Sequence, residues 1–378
     1  MAGLGWHPRL VMVKGVGGRA KPGQEERPPA IRVMRGLGQR IHAFVGQAWM
    51  TEPDLRNKDI AMILGSNIPT KDAAPPAGDL ASRIAGFMRR ASIEATRPTQ
   101  ADAEMLRETL PSGANIFLSA VPKRPRDEVV ASARAIRAAG LNPVPHIAAR
   151  SFPDAASADE LLARLHGEAD VRAVLLIGGD LPSPAGSIVG AQQLIESGVL
   201  GRCGIERVGI AGYPDGHPRM SDEELESTLV TKVAAAQSAG LDVHIVTQFC
   251  FEPRMILRWI EWLRRRGLHL PVDIGFAGPT SLMTWLNYAR RCGVRASAEA
   301  LARRSGLVKH VFNAVAPDPI IRALVEALPD DALGELKPHL YSFGGLGSTA
   351  RWVAGAMQGA LTLDKEGGFL VERQGEKA

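Results

Sequence analysis

The chain is poor in cysteine. Cys203, Cys250 and Cys292 are all it carries in 378 residues, scattered and without a CxxC spacing. That excludes a disulfide framework and a zinc site of the usual spacing, and a reducing, cytoplasmic setting is expected. A run of about 18 uncharged apolar residues is also missing, so no membrane span is expected. The front of the chain lacks the apolar core of a secretory signal. No HExxH, no phosphate-binding Walker loop and no nucleophile elbow occurs, so no metal site is expected. After the first 50 residues the charges are close to balanced. No basic stripe interleaved with aromatics runs through them, and nucleic acid is not an expected partner.

What the chain does have is apolar bulk, 45% of its residues, enough for a large core. Its net charge of +5 comes mainly from the front. Residues 1–50 hold eight Lys and Arg against Glu25 and Glu26. Such a segment reads either as a disordered or loosely packed extension, or as an arm or organelle address. Three regions follow: a basic Gly/Pro-rich extension over 1–80, a folded body over 81–363, and a charged tail over 364–378 that is expected to fray. Ala73-Ala-Pro-Pro-Ala-Gly78 reads as a linker before the body.

Within the body, short β-rich runs alternate with longer helical patterns. The strand candidates are Ser92–Thr96, Asn115–Val121, Pro143–Ala149, Arg172–Ile177, Arg207–Tyr213, His244–Cys250, Val272–Ala277 and His339–Phe343. Ala173-Val-Leu-Leu-Ile177 is nearly all apolar, as suits a strand covered on both faces. Arg126–Ala139 has acids in front and arginines later, which matches a helix dipole, and Gly140 stops it. Ser221-Asp-Glu-Glu224 predicts a capping box opening a helix to Ala239. Another helix is expected from Pro253 through Arg266, and extra helices within Ala296–Leu328. Eight strand–helix units with right-handed crossovers predict a (β/α)8 TIM barrel with extra helices, the open doubly wound sheet being the alternative.

A barrel of this kind keeps its chemistry at the C-terminal ends of its strands. The unusual polar residues fall there. Glu94 lies inside the first strand, where burial alone raises its pKa and favours a neutral acid that can donate a proton. A pairing with Arg97 is the plainer explanation. Gly178-Gly-Asp-Leu-Pro182 ends the fourth strand, its glycines allowing a backbone to approach a flat ligand and Asp180 projecting at the mouth. Tyr213 and His217 follow the fifth strand and suit a heterocycle, although a Gly/Pro turn accounts for their neighbours. Gln248 lies in the sixth strand candidate, which carries Thr247-Gln-Phe-Cys-Phe251, and its amide both donates and accepts, as a pterin edge requires; Phe249 and Phe251 beside it are candidates for the core. His146 ends the third strand, where a lone histidine is more often structural. Gly344-Gly-Leu-Gly-Ser-Thr349 opens a helix after the eighth strand, where barrels often hold phosphate.

Five of these pieces, in order, resemble the methylenetetrahydrofolate reductase family. They are Ser92-Ile-Glu-Ala-Thr-Arg-Pro98, Pro145-His146, Gly178-Gly-Asp-Leu-Pro182, Tyr213-Pro-Asp-Gly-His-Pro218 and Thr247-Gln-Phe-Cys-Phe251. The match spans roughly residues 88–295, with a looser one at the eighth strand. The resemblance implies an oxidoreductase of one-carbon metabolism, linked to methionine biosynthesis. It would interconvert 5,10-methylenetetrahydrofolate and 5-methyltetrahydrofolate through bound FAD with NAD(P)H, and homo-oligomers are found in the family. By position, Glu94 is the general acid that protonates the folate and opens its ring to an iminium. Asp180 is the carboxylate beside flavin and pterin that stabilises that cation. Gln248 is the pterin-binding amide, and Leu282 stands where a folate-side phenylalanine does. His146, Gly179, Asp180, Ala211, Tyr213 and His217 fall at flavin contacts, and Lys232 at a lysine near the flavin phosphates. Gly178, Thr228 and Thr231 stand where the family has Arg, Asn and Arg. These departures favour the alternative, a flavin-poor folate-binding barrel working with a methyltransferase or demethylase partner.

Overall fold

The computed structural model describes residues 77–294 and 314–372. The extension over 1–76, residues 295–313 of the expected extra helices and residues 373–378 of the tail lie outside the described residues. Eight strands carry the architecture: β1 (Ser92–Ala95), β2 (Asn115–Leu118), β3 (Asn142–Ala148), β4 (Ala173–Ile177), β5 (Arg207–Gly212), β6 (Asp242–Thr247), β7 (Val272–Ala277) and β8 (Leu336–Tyr341). Each pairs in parallel with its neighbours, and β1 pairs with both β2 and β8, so the sheet closes into a barrel. The closed TIM barrel, not the open sheet, is the fold.

Helices return the chain between strands. The one that opens the described region, α1 (Ala77–Met88), already includes the last residues of the expected linker. After β5 comes α2 (Asp222–Ser238), with the expected capping box: the Ser221 hydroxyl accepts from the Glu224 amide and the Glu224 carboxylate accepts from the Ser221 amide. After β7 comes α3 (Leu282–Cys292). The main core lies between the strands and these helices, and takes up Ile84, Ile210, Ile256, Phe249 and Phe251 among others. A second, smaller cluster of Phe117, Val144, Leu175 and Val246 fills the barrel interior.

Three strands begin earlier than the residue pattern suggests, β3 by a single residue, at Asn142. β8 starts at Leu336 rather than His339, because Lys337 and Pro338 look like a turn but pair in register with Asp273 and Ile274 of β7. β6 starts at Asp242 and ends at Thr247, so Gln248 lies just past the strand. Two short antiparallel pairs are additional. Thr280–Ser281 pairs with Ala314–Val315, inside the region read as helices alone. Leu361–Leu363 pairs with Phe369–Val371. The tail therefore does not fray directly after Leu363. Phe369 is buried, stacks on Trp352 at 5.7 Å and donates its amide to Asp318 at 3.1 Å. Two apolar positions outweigh the charged turn between them.

Gly275 is the tightest point of the barrel wall near the mouth. Its amide donates to the Thr247 hydroxyl at 2.8 Å. A Cβ there would collide with the Thr247 carbonyl and lie 2.8 Å from the Phe249 amide and from the Tyr341 ring. Gly275→Ala is expected to cost about 1–3 kcal/mol, the usual cost of overpacking, and to lower Tm by several degrees in calorimetry. Gly178→Ala, where a Cβ meets nothing within 4 Å, serves as the control. Equal melting of the two variants would contradict this packing account.

Candidate active site

The strand pleat sets the site, because alternate residues face inward. On β1 these are Ser92 and Glu94, and on β8 His339 and Tyr341. In register, Ser92 lies beside His339 and Glu94 beside Tyr341. Glu94 is thereby held inside the barrel, its side chain 14% exposed. It does not pair with Arg97, which faces out. The Ser119 hydroxyl, just past β2, donates to Glu94 Oε1 at 2.6 Å. Glu94 Oε2 faces His146 Nε2 at 3.4 Å and His339 Nε2 at 3.7 Å. β1 and β3 are not neighbours, so the contact with His146 crosses the barrel interior. His339 is fully buried. Its Nδ1 lies 2.9 Å from the Ser92 hydroxyl. With that hydroxyl assigned as donor, Nε2 carries the proton and presents it toward Glu94. The Phe117 ring packs edge-on against His339 at 4.5 Å.

This environment reverses the expected direction of the Glu94 pKa. Burial alone pushes it up, but the imidazoles of His146 and His339 and the Ser119 hydroxyl more than cancel that, and the net shift is downward. The ligand-free carboxyl is held as a carboxylate. Burial also lowers the His146 pKa, against the opposing pull of Glu94. His146 is therefore no bystander of the strand end: it is one of the groups that hold Glu94.

Asp180 is exposed just after β4. Its charge nevertheless reaches into the mouth. Tyr213 is raised by burial and then by Asp180. The Cys292 thiol, at the end of α3, is pushed up to about 11 by burial, then by Asp180 and Glu94. Both carboxylates thus act on one point. Tyr341 is raised well above its ordinary value by burial and then by Glu94 and Tyr213. Its hydroxyl donates to the Thr247 carbonyl at 2.9 Å, which places Gln248 next along the same wall. The Gln248 Oε1 accepts from the Phe249 amide at 3.1 Å, so in this state the side chain folds back on its own backbone. Ala211 lies on β5, two residues before Tyr213. Tyr213 and His217 pack edge to face at 5.2 Å.

Other candidates are placed less centrally. Leu282 is the first residue of α3 and is buried in the main core, leaving little surface for a ligand. Lys232 is half-buried on α2, without an ion pair among the described residues, and burial lowers its pKa. Thr231 beside it donates to the Ser227 carbonyl at 2.8 Å. Gly179 has φ +94, and a Cβ there would lie 3.1 Å from Ala148 Cβ. The open space at Gly178 is not filled by another cation, since the nearby Arg150 donates through Nη2 to the Pro182 carbonyl at 3.0 Å. Of the glycines of Gly344–Thr349, Gly344 has φ +84, and a Cβ on Gly345 would lie 2.8 Å from the Ser348 hydroxyl, so turn geometry and local packing account for two of them. Among the described residues no trio of His, Cys, Asp and Glu is arranged to hold a metal.

Residue-level reading missed Ser92, Ser119, His339 and Tyr341. The signal was present in β1 and β8, where polar residues recur two apart on a face that a barrel turns inward. Ser119 lies beyond its strand and has no such signal.

No protein-family model matches the chain. Among solved structures it is similar to dihydropteroate synthase from Thermus thermophilus, with 14% identity over 71% of this chain and 90% of that one, TM-score 0.39. It is similar also to a "putative lyase/mutase" from Burkholderia cenocepacia, with 11% identity over 71% of this chain and 84% of that one, TM-score 0.40. Neither likeness bears on the chemistry of the site. Among the described residues no helix is long and apolar enough to cross a membrane.

The cluster makes a signed prediction about pH. Glu94 and His146 are both depressed in the folded state, so the unfolded chain binds more protons and stability rises with pH. That stability is complete above the ordinary values, 6.5 for His146 and 4.5 for Glu94, and is lost as pH falls through the lower folded values. Urea midpoints should therefore drop on acidification from pH 7.5. His146→Gln should flatten the histidine part of the loss and Glu94→Gln the carboxylate part. A wild-type midpoint that rises toward acid would refute the arrangement.

Proposed function

We propose that this barrel is a folate one-carbon oxidoreductase that interconverts 5-methyltetrahydrofolate and 5,10-methylenetetrahydrofolate. The observation that carries the reading is the buried Glu94, held at the mouth-side end of the barrel between His146 and His339, with the Asp180 charge reaching the same mouth. The five ordered motifs supply the substrate class. In this reading Glu94 moves the proton at the folate nitrogen whose bond to the one-carbon unit opens or closes. Asp180 offers negative charge to the cationic one-carbon unit. Gln248 swings out from its own backbone to meet the pterin edge. Because Glu94 stands ionised, it is set to accept a proton. That suits the oxidative direction, in which ring closure on the already oxidised one-carbon unit releases the proton of that nitrogen. The reductive direction needs a proton to be delivered to Glu94 first.

A flavin fits the mouth in part. The left-handed Gly179, Ala211, Tyr213 and His217 would flank the ring, and Lys232, a half-buried cation without a counter-ion among the described residues, would face a phosphate. When bound, FAD supplies hydride transfer between NAD(P)H and the one-carbon unit. A second reading is favoured by one observation, the empty space at Gly178 together with Arg150 tied to Pro182. With Lys232 alone, diphosphate binding is thin. The chain would then bind reduced folate without flavin and serve a methyltransferase or demethylase partner.

The visible spectrum of freshly purified protein separates the two readings. A flavin absorption bleached by NAD(P)H, and separately by 5-methyltetrahydrofolate, is expected from the first. Glu94→Gln should slow the folate half-reaction by about 10²–10⁴-fold, the usual contribution of an acid–base group, and leave NAD(P)H bleaching largely intact. Equal loss in both half-reactions would show that Glu94 has another role. Colourless protein that binds reduced folate would support the second reading, and failure to bind any reduced folate would remove both.

A further inference from the structure

Among the described residues, three non-glycine residues hold left-handed backbone in the loops that follow strands: Arg97 (φ 52), Lys123 (φ 62) and Phe343 (φ 46). The fourth such residue, Asp170, caps a helix end, an ordinary place for it. The three follow β1, β2 and β8, which are adjacent in the barrel and flank Glu94. Left-handed backbone is disfavoured for side chains of this size, and for Arg97 the following Pro98 restricts it further. Such outliers persist where the surrounding structure holds them, often at a ligand site.

The arc has two chemically distinct ends. On the β8 side, Phe343 stacks on Tyr288 at 4.1 Å and lies nearly parallel to Tyr341 at 6.0 Å. On the β1–β2 side stand cations. Arg97 and Lys123 are exposed and have no ion pair or side-chain hydrogen bond among the described residues. Arg124 is 4% exposed. Its Nη2 donates to Ser132 Oγ at 2.7 Å and to the Glu128 carbonyl at 3.0 Å, while Nε and Nη1 are buried without a hydrogen-bond partner. Glu128 lies 3.5 Å from Nε but is itself largely in solvent. Burial lowers the Arg124 pKa, Glu128 opposes it, and the Arg97 charge adds the smallest contribution, a further lowering. Like charges are thus gathered here without a full counter-ion. Thr96, next to Arg97 in the chain, places its Oγ1 3.0 Å from Ser119 Oγ, and Ser119 donates to Glu94.

We infer that Arg97, Lys123 and Arg124 form an anion site beside Glu94 that takes the carboxylate-bearing tail of the substrate. The inference rests on the folate reading, and the tail is then the glutamyl end of a reduced folate. An acid at the reacting ring, an aromatic stack to one side and a cationic rim within one loop of the acid suit a flat molecule with an anionic extension. The rim strengthens ground-state binding and leaves the chemical step alone, since it touches no reacting atom.

The test is binding by titration calorimetry to the full chain. Probes are tetrahydrofolate, its triglutamate and 6-methyltetrahydropterin, which has no tail. Arg97→Ala/Lys123→Ala, both exposed and outside the proton-transfer cluster, should weaken tetrahydrofolate about tenfold at low salt, and the triglutamate more. The pterin should be unaffected, and most of the salt dependence should disappear. Equal weakening of pterin and folate, or no weakening of either, would overturn the site. Selective loss of FAD, with folate binding unchanged, would overturn it in favour of a flavin phosphate. If the wild-type chain binds no folate, the functional reading falls and pyrophosphate becomes the probe. Binding of pyrophosphate that needs Arg97 and Lys123 would keep the anion site, and its absence would end it.

Discussion

The barrel depends on how one carboxylate is accommodated. An isolated ionised carboxyl inside a closed sheet is strongly unfavourable unless it is paired and hydrogen-bonded. Glu94 obtains a hydroxyl from the β2 end, an imidazole from β3 and another from β8, the last oriented by Ser92 on its own strand. Four strands therefore contribute to one group. None of these partners is near another in the chain, so the site exists only once β1 has closed onto β8. Closure and chemistry are the same event in this fold, and a change that loosens the β1–β8 seam loosens Glu94 with it.

The same logic recurs deeper in the barrel. His244 on β6 and Asp273 on β7 are both buried, with Nε2 and Oδ2 4.0 Å apart. Lys337 of β8 stands in register with Asp273. Burial lowers the His244 pKa, with Asp273 opposing it. The interior is thus apolar along Phe117, Val144, Leu175 and Val246, and polar along β6, β7, β8 and β1. An interior of this kind ties strand register to charge pairing. Shifting β8 by one residue would turn His339 outward and remove one of the two imidazoles that face Glu94.

Much of the architecture is legible residue by residue, for physical reasons. Apolar β runs between capped helices identify all eight strands, and the Ser221 capping box forms as its residues demand. What is not legible is long-range. A Glu with an Arg three positions on suggests a local pair, yet the pleat points Glu94 inward and leaves Arg97 outside. Burial suggests a raised pKa, but the sign is decided by imidazoles that arrive from residues 146 and 339. His339 was visible only as part of a strand, because its role needs β1 as a neighbour. The hairpin over 361–371 is hidden by a charged turn between two short apolar pairs. Its burial is settled by Trp352 and Asp318, which no local pattern connects to it.

Two halves of the mouth are built to different standards, and this bears on which ligand the fold is shaped around. On the Glu94 side the carboxylate accepts from Ser119 and faces two imidazoles, with an aromatic stack and residues of restrained backbone beside it. On the Gly178 side the wall has open space, one lysine, and an arginine and a threonine whose bonds go to neighbouring backbone. Preorganisation strengthens binding by removing the ordering cost in advance. On the reading proposed above, a site ordered around Glu94 and sparse around Gly178 would hold its substrate more tightly than a flavin. The two walls are built from separate residues, so one can change without the other.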